Sequence, residues 1–246
     1  MKRSGANFVI TTIMLGLFTP GAFADTFVIY GASGNVGSLI AEEALNRGHS
    51  VVGVSRNPES LQNENPDFSA VQGDITDTDS IVATISGADA VIIAVGGVGP
   101  GNTPEEAFAF LGANAYIEAA SRLGAATPHV IQVGSGTTLN TNGVRVSSTL
   151  DLEPGTFLHG LFQGHWLALE AYRQSTGFDW TVMSAAYGSI IGQGEITGRY
   201  RLGDQEALFD RNGSSMLSTG DYAIAVIDMA ESHTVTGKRV AVGPAY

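Results

Sequence analysis

The stretch Gly31-Ala32-Ser33-Gly34-Asn35-Val36-Gly37 constrains this chain more than any other. Before it stands Thr26-Phe27-Val28-Ile29-Tyr30, a run of β-branched and aromatic residues that reads as a strand. After it stands Ser38 to Asn46, whose apolar residues recur at helical spacing. The glycines therefore fall in a strand-to-helix turn. In such a turn Gly31 permits the tight bend, Gly34 lets the backbone approach a pyrophosphate, and Gly37 lets the helix pack on the strand. Ser33, Asn35 and Val36 complete the loop, and the free N–H groups of the helix start face the phosphate charge. The spacing is G-x-x-G-x-x-G rather than G-x-G-x-x-G, so the flanking strand and helix carry the nucleotide-binding reading as much as the glycines do.

The rest of the chain repeats this alternation. The residue patterns predict strands at His49–Val54, Phe68–Gln72, Ala90–Val95, Val130–Val133, Trp180–Met183 and Arg239–Val242, with a further strand at Arg199–Arg201. They predict helices from Asp77 or Thr78 to Ser86, from the capping box Thr103-Pro104-Glu105-Glu106 to Leu123, from Leu161 to Gln174 and from Asp221 to Glu231. Leu139 to Phe157 reads as a loop over the site, and Gly188 to Gly203 as glycine-rich and irregular. Strands alternating with helices predict a single Rossmann-like α/β domain, a doubly wound parallel sheet with helices on both faces. A chain of 246 residues with 43% apolar residues suffices to build it, and its 32 glycines fit a fold with many tight βα turns.

In such sheets ligands lie at the carboxyl ends of the strands. Gly31–Gly37, Ser55-Arg56, Asp74, Gly96-Gly97 and Gly134–Thr137 all fall there. An acid at the end of the second strand would hold the ribose 2′-hydroxyl of NAD, whereas an arginine accommodates the 2′-phosphate of NADP. This chain has Ser55-Arg56, so NADP(H) is expected in preference to NAD(H). Asp74 fits either an adenine edge or a turn cap. Gly96 and Gly97 leave room for a cofactor to pass. Ser135 fits either the nicotinamide end of the site or a bond to its own turn backbone.

Charge and composition narrow the partners. The formal charge of −12 argues against nucleic acid and anionic membrane surfaces. The absence of cysteine excludes disulfides, thiolate catalysis and cysteine metal sites. The histidines are scattered and show no metal-ligand spacing, so no metal is expected. Met1-Lys2-Arg3, the apolar run Phe8–Phe18 and Ala22-Phe23-Ala24 form the pattern of a secretory signal peptide. Residues 1–24 are expected to be removed after Ala24 and 25–246 to form the mature domain in the periplasm, with no membrane span after processing. That domain would carry 10 basic residues against 24 acidic. The leader lacks paired arginines, so the chain would cross unfolded and without a cofactor. The sequence names no protein partner.

The chain also resembles a known group. Gly31–Gly37, Arg47-Gly48-His49-Ser50-Val51, Arg56-Asn57-Pro58 and Gly73-Asp74-Ile75 carry the resemblance in the first half. In the second half it is carried by Asp179-Trp180-Thr181, Thr197–Gly203, Asp221–Val226 and Lys238-Arg239-Val240. On these the chain is similar to the atypical short-chain dehydrogenase/reductases known as NADH–flavin reductases, relatives of biliverdin-IXβ reductase. The resemblance implies one Rossmann-like domain, an NAD(P)H cofactor and a planar hydride acceptor, with Gly31, Gly34, Gly37 and Arg56 as cofactor contacts. Two features depart from the group. The strand after Trp180 ends in Ser184-Ala185-Ala186 rather than a proline-containing turn, and the chain carries an export signal.

The chemistry is limited by what is missing. Most short-chain dehydrogenases use a Tyr-x-x-x-Lys pair, yet the only lysines here are Lys2 and Lys238, with Thr234 four residues before the latter. Flavin reduction does not need that pair, because the accompanying proton can come from water and the protein mainly positions two rings. A flavin is thus a candidate substrate. Ser135, His165 and Tyr187 are the candidate catalytic residues near the nicotinamide, with His159 a further histidine in the same region. The residues also admit an NADP(H)-binding sensor or scaffold without turnover. An epimerase or dehydratase acting on a nucleotide sugar fits less well, since those reactions usually need the missing pair.

Overall fold

The computed structural model describes residues 24–187 and 194–246. The signal-peptide pattern, apart from Ala24, lies outside the described residues, as do the first six residues of the glycine-rich segment.

The elements in chain order are β1 (Thr26–Tyr30), α1 (Gly37–Asn46), β2 (Ser50–Ser55), β3 (Phe68–Gln72), α2 (Thr78–Thr84), β4 (Ala90–Ile93), α3 (Phe108–Leu123) and β5 (His129–Gly134). There follow β6 (Asn140–Thr141), β7 (Val144–Arg145), α4 (Val146–Thr149), α5 (Phe157–Gln174), β8 (Trp180–Ser184), β9 (Tyr200–Gly203), α6 (Thr219–Ser232) and β10 (Lys238–Pro244). The main sheet has the order β3-β2-β1-β4-β5-β8-β10-β9. All neighbours are parallel except β9, which closes the edge antiparallel to β10.

Alternation of side chains along the strands feeds two cores. Phe27, Ile29, Val51, Ile92, Ile131, Met183 and Val242 face α1 and α6. Val28, Tyr30, Val54, Val91, Ile93, Val130 and Val182 face α2, α3 and α5. Central strands buried on both faces need apolar residues at every position, as Ala90–Ile93 shows. This is the doubly wound Rossmann-like sheet expected. The chain reverses direction of growth between β1 and β4, which opens a crevice at their carboxyl ends.

Three local expectations need correction. The segment after Thr103 is not one helix. Pro104–Glu106 forms a single 3₁₀ turn, Ala107 is extended at φ −66° and ψ 127°, and the Thr103 side chain makes no cap bond. The loop before it competes for the backbone: Val98 pairs antiparallel with Ala107, and Phe108 N–H donates to Gly97 O at 3.1 Å. Helix α3 therefore starts only at Phe108. The segment from Leu139 is not a plain loop either. It forms the β6–β7 hairpin, turned by Asn142 (φ 54°) and Gly143 (φ 78°), and then α4. The third correction is at α5, which begins four residues earlier than expected, at Phe157, where the Thr156 hydroxyl accepts from His159 N–H.

Candidate functional site

The turn after β1 is built by close approach of backbone. Gly31 has φ +84°, and a Cβ there would lie 2.5 Å from Ala94 O, at the exit of β4. A Cβ on Gly37 would lie 2.1 Å from Gly31 O. These glycines bring β1, β4 and the start of α1 together at the crevice. Gly34 differs. Its virtual Cβ meets only Gly31 O, at 3.2 Å, and its outer side is open. Gly34 N–H donates to Gly31 O at 2.9 Å, closing the turn.

Helix α1 begins at this turn with Val36 as its cap residue. No side chain caps it and no acid stands in its first turn. By contrast Asp77, Thr156 and Ser218 cap α2, α5 and α6. The positive end of α1 is thus left unneutralised, which suits a phosphate. Gly96 faces the same space, with nothing within 4 Å of a Cβ built on it.

Gly31, Ser33, Gly34, Ser55, Arg56, Asp74 and Gly96 line one cleft. Arg56 is exposed, with its guanidinium carbon 5.9 Å from the Phe108 ring centroid. The Ser55 hydroxyl accepts from Asn57 N–H at 3.2 Å. Asp74 faces the cleft while serving its own turn, its Oδ1 accepting from Thr76 N–H at 2.9 Å and from the Thr76 hydroxyl at 2.8 Å. Both readings of Asp74 are thus compatible with its position. Asn35 is exposed on the loop, Val36 caps α1 and Gly37 is buried beneath it. Gly97, at φ +104°, lies against Phe108.

Ser135, His165 and Tyr187 lie outside that cleft, around the ends of β5 and β8. Ser135 Oγ accepts from Thr137 N–H at 3.2 Å and lies 2.8 Å from Thr137 Oγ1, so it serves its own turn. Tyr187 is 43% exposed, and its N–H donates to Ser215 Oγ at 3.1 Å. Its backbone sits against Gly136, where a Cβ would meet Tyr187 Cα at 2.8 Å.

The depth of His165 follows from its helix. Seven residues later Tyr172, fully buried, donates its hydroxyl to Gln132 Oε1 at 3.4 Å on β5. Seven helical residues span about 10 Å, and about three strand residues cover the same distance. His165 therefore lies toward the carboxyl end of β5. Its Nδ1 is buried with no hydrogen-bond partner, and burial lowers its pKa to about 4, so the ring is neutral at physiological pH. His159 also has a buried, unpartnered Nδ1. Six helical residues separate the two histidines, about 240° around the axis, so they do not share a face.

The sequence reading missed Tyr30, Val54, Gly73, Ile75, Thr76, Ala94, Val95 and Phe108, which also line the cleft. Most adjoin residues already singled out at strand ends. Phe108 arrives through the extended break at Ala107, and no local pattern signals that. It also missed Gly160 and Gly164 in α5. A Cβ on Gly160 would lie 2.5 Å from Asn102 O, and one on Gly164 would lie 2.0 Å from Ala107 Cβ. These glycines let α5 press against the loop before α3 and set the height of His165. Among the described residues no group of His, Asp or Glu is placed to hold a metal ion, and no helix is long and apolar enough to cross a membrane.

Comparison with known proteins agrees with this geometry. A family model described as NAD(P)H-binding matches residues 31–232. The uncharacterized protein YwnB of Bacillus subtilis is 28% identical over 211 residues, covering 82% of this chain and 91% of YwnB. A solved structure from Bacteroides thetaiotaomicron, called a "putative epimerase", superposes with a TM-score of 0.78 at 28% identity, over 91% of this chain and 99% of the other. A "putative exported protein" from Burkholderia pseudomallei gives 0.74 at 29% identity, over 89% and 99%. A "putative NADH-flavin reductase" from Streptococcus pneumoniae gives 0.74 at 24% identity, over 90% and 100%, and so shares the fold.

Proposed function

The chain belongs to the NAD(P)H-binding family, and from that premise we propose that it is an exported reductase that prefers NADPH and passes hydride to a flavin or similar planar acceptor. The observation that carries the cofactor preference is Arg56. It stands exposed at the lip of the cleft, at the end of β2, where a carboxylate would repel a 2′-phosphate. The uncapped start of α1 and the open space beside Gly96 fit a dinucleotide pyrophosphate between β1 and β4.

The bound dinucleotide supplies the hydride. The chain's own groups position and shield. Arg56 holds the 2′-phosphate by a charge-assisted contact. The exposed ring of Tyr187 offers an apolar wall for a planar acceptor. Neutral His165, its Nδ1 buried and unpartnered, shapes the acceptor side from behind rather than touching the ligand. None of these acts as a strong acid or base, which suits a reaction whose proton comes from water. Export rests on the leader pattern ending at Ala24, and the likeness to a protein called exported supports a periplasmic location.

The test mixes purified protein with NADPH and FMN or FAD and follows nicotinamide absorbance. Consumption well above the uncatalysed rate is expected. A second reading, an NADP(H)-binding sensor without turnover, is favoured by the engagement of Ser135 in its own turn. Calorimetric binding of NADPH without consumption by several planar acceptors would select it. Failure to bind either nicotinamide dinucleotide would remove both readings.

A further inference from the structure

The end of the sheet opposite the cleft carries a charge cluster that the cofactor reading does not use. Arg47, just past α1, donates to Glu43 Oε1 at 2.8 Å, Asp228 Oδ1 at 2.6 Å and Glu231 Oε2 at 2.8 Å. Glu231 Oε1 lies 2.8 Å from His49 Nε2, and His49 Nδ1 lies 3.2 Å from the backbone nitrogen of Asp25. Because the Asp25 N–H can only donate, His49 Nδ1 is the acceptor and its Nε2–H points to Glu231. Asp25 Oδ2 is 3.8 Å from the same Nδ1.

The balance of charge in this cluster is uneven. Three carboxylates, from Glu43, Asp228 and Glu231, share the guanidinium of Arg47, and a fourth, from Asp25, lies beside His49 rather than beside Arg47. The neighbouring elements do not redress it. Tyr200 from β9 donates its hydroxyl to Asp228, and before β4 Asp89 Oδ2 accepts from Thr26 N–H at 2.8 Å, adding another acid beside the same chain end. His233, following α6, lies 3.4 Å from Asp89 O. The atom that already reaches this acidic network is the Asp25 nitrogen, through its N–H to His49 Nδ1.

We infer that Asp25 is the mature N-terminus and that its α-ammonium is bound by His49 Nδ1, in the tautomer that Glu231 holds through Nε2–H, so that processing completes the network. This rests on the export reading given above. In the covalent step an export endopeptidase directs water onto the Ala24 carbonyl carbon. The Ala24–Asp25 C–N bond breaks, the leader departs with a carboxylate at Ala24, and the Asp25 nitrogen takes up protons to become –NH₃⁺. Ala24 is exposed and Asp25 half-buried at the start of β1, so the scissile bond lies where the fold begins. One N–H of the ammonium keeps its bond to His49 Nδ1, and the positive charge strengthens that bond and the His49–Glu231 bond behind it.

The experiment expresses the full chain with its leader in a bacterial host. The first residue of the exported protein is read by mass spectrometry, and its α-amine is titrated by acylation rate. Asp25 is expected first. Its amine should titrate above the ordinary range of about 7.7–8.0 and acylate roughly tenfold more slowly at neutral pH than in E231Q, since a one-unit rise costs tenfold in free amine. The same protein with one glycine added before Asp25 should melt about 2–4 °C lower. The sign follows from a raised native pKa: the added stability is complete below the unfolded amine's pKa and disappears as pH rises through the native one. Another first residue overturns the inference, as does Asp25 with equal titration in wild type, H49Q and E231Q. An uncleaved chain overturns it together with export. NADPH binding, measured alongside, belongs to the far end of the sheet and distinguishes failure here from failure of the cofactor reading.

Discussion

The two halves of the sheet build their sites from different materials. Between β1 and β4 the cleft is made by backbone: Gly31 and Gly37 allow contacts a Cβ would block, and α1 offers bare N–H groups. The proposed acceptor side, around the ends of β5 and β8, would instead be made by side chains, namely Ser135 and Tyr187 on the turns after those strands and His165 on α5. The placement of His165 depends on how α5 docks on the loop before α3. The first kind of site tolerates almost no change at its glycines yet binds a part common to many ligands. The second kind tolerates exchange of side chains and decides what is reacted. The contrast predicts that damage in the first half falls on the fold and the cofactor, and damage in the second on the acceptor.

The largest expected effect is at Gly37. A Cβ 2.1 Å from Gly31 O cannot be fitted without moving α1 or β1. G37A should therefore destabilise the chain by about 3 kcal/mol or more, measured by urea unfolding. G34V should behave differently. Its Cβ meets one tight contact, 3.2 Å from Gly31 O, and is otherwise open, so the fold should survive at a cost of about 1 kcal/mol, while NADPH and NADH binding fall together because the side chain covers the shared pyrophosphate position. Wild-type stability in G37A would break the claim that backbone contact builds this half.

Arg56 tests selectivity within the first half. R56A should weaken NADPH binding by roughly 10- to 150-fold, the worth of a charge-assisted contact of about 1.5–3 kcal/mol, and leave NADH almost untouched. S55D should shift preference further toward NADH by repelling the phosphate. Equal losses for both cofactors in R56A would show that Arg56 does not read the 2′-phosphate.

What was legible in the sequence follows the same division. The alternation of strands and helices, the helices on both faces and the turn at Gly31–Gly37 rest on local periodicity and turn chemistry, and the strand ends at Ser55-Arg56, Asp74 and Gly96 could be placed by alternation alone. What could not be read depends on distant partners. The break at Ala107 exists because Val98 takes its backbone pairing, and Phe108 reaches the cleft only through that break. The antiparallel β9 is specified by its pairing with β10 rather than by its own four residues. The β6–β7 hairpin is a different case: Asn142-Gly143 is a strong local turn signal, and its two positive φ angles match a type I′ turn.

Histidine burial gives a pH test that spans both halves. His129, 5% exposed at the amino end of β5, and His165 near its carboxyl end are both lowered to about 4 by burial. His129 keeps one bond, 2.9 Å from Nε2 to Thr181 Oγ1. In both cases the unfolded chain takes up a proton first as pH falls, so native stability is flat above about 6.5 and declines from there toward 4. The decline attributable to His165 should be about 3 kcal/mol, read as its removal in H165Q by urea titration across that window. NADPH binding in H165Q should stay near wild type, since the ring lies beyond the cleft, whereas acceptor KM should rise. Loss of NADPH affinity in H165Q would merge the two sites that the contrast keeps apart.

The smallest expected effect, at Ser135, asks whether the second half does any chemistry of its own. Its hydroxyl is already used: it accepts from Thr137 N–H and meets Thr137 Oγ1. Thr138 continues the same turn, its Oγ1 donating to Ser135 O at 2.7 Å and lying 3.0 Å from Ser184 Oγ on β8. Removing the hydroxyl in S135A deletes one cap of a short turn, which costs about 0.5–1.5 kcal/mol. If that is its whole role, kcat with NADPH and a flavin should change by less than about twofold, and Tm alone should fall. If the hydroxyl also orients the nicotinamide end of the cofactor, kcat should fall about tenfold or more. S135T, which keeps the oxygen, should then restore it. Thr137 provides the control, because T137V removes the hydroxyl contact from the other side and leaves the Thr137 N–H bond to Ser135 Oγ in place. A kcat loss in S135A but not in T137V, at matched losses of stability, would assign Ser135 to the reaction. Matched behaviour of the two variants would assign it to the turn and leave His165 and Tyr187 as the polar and aromatic groups of the acceptor side.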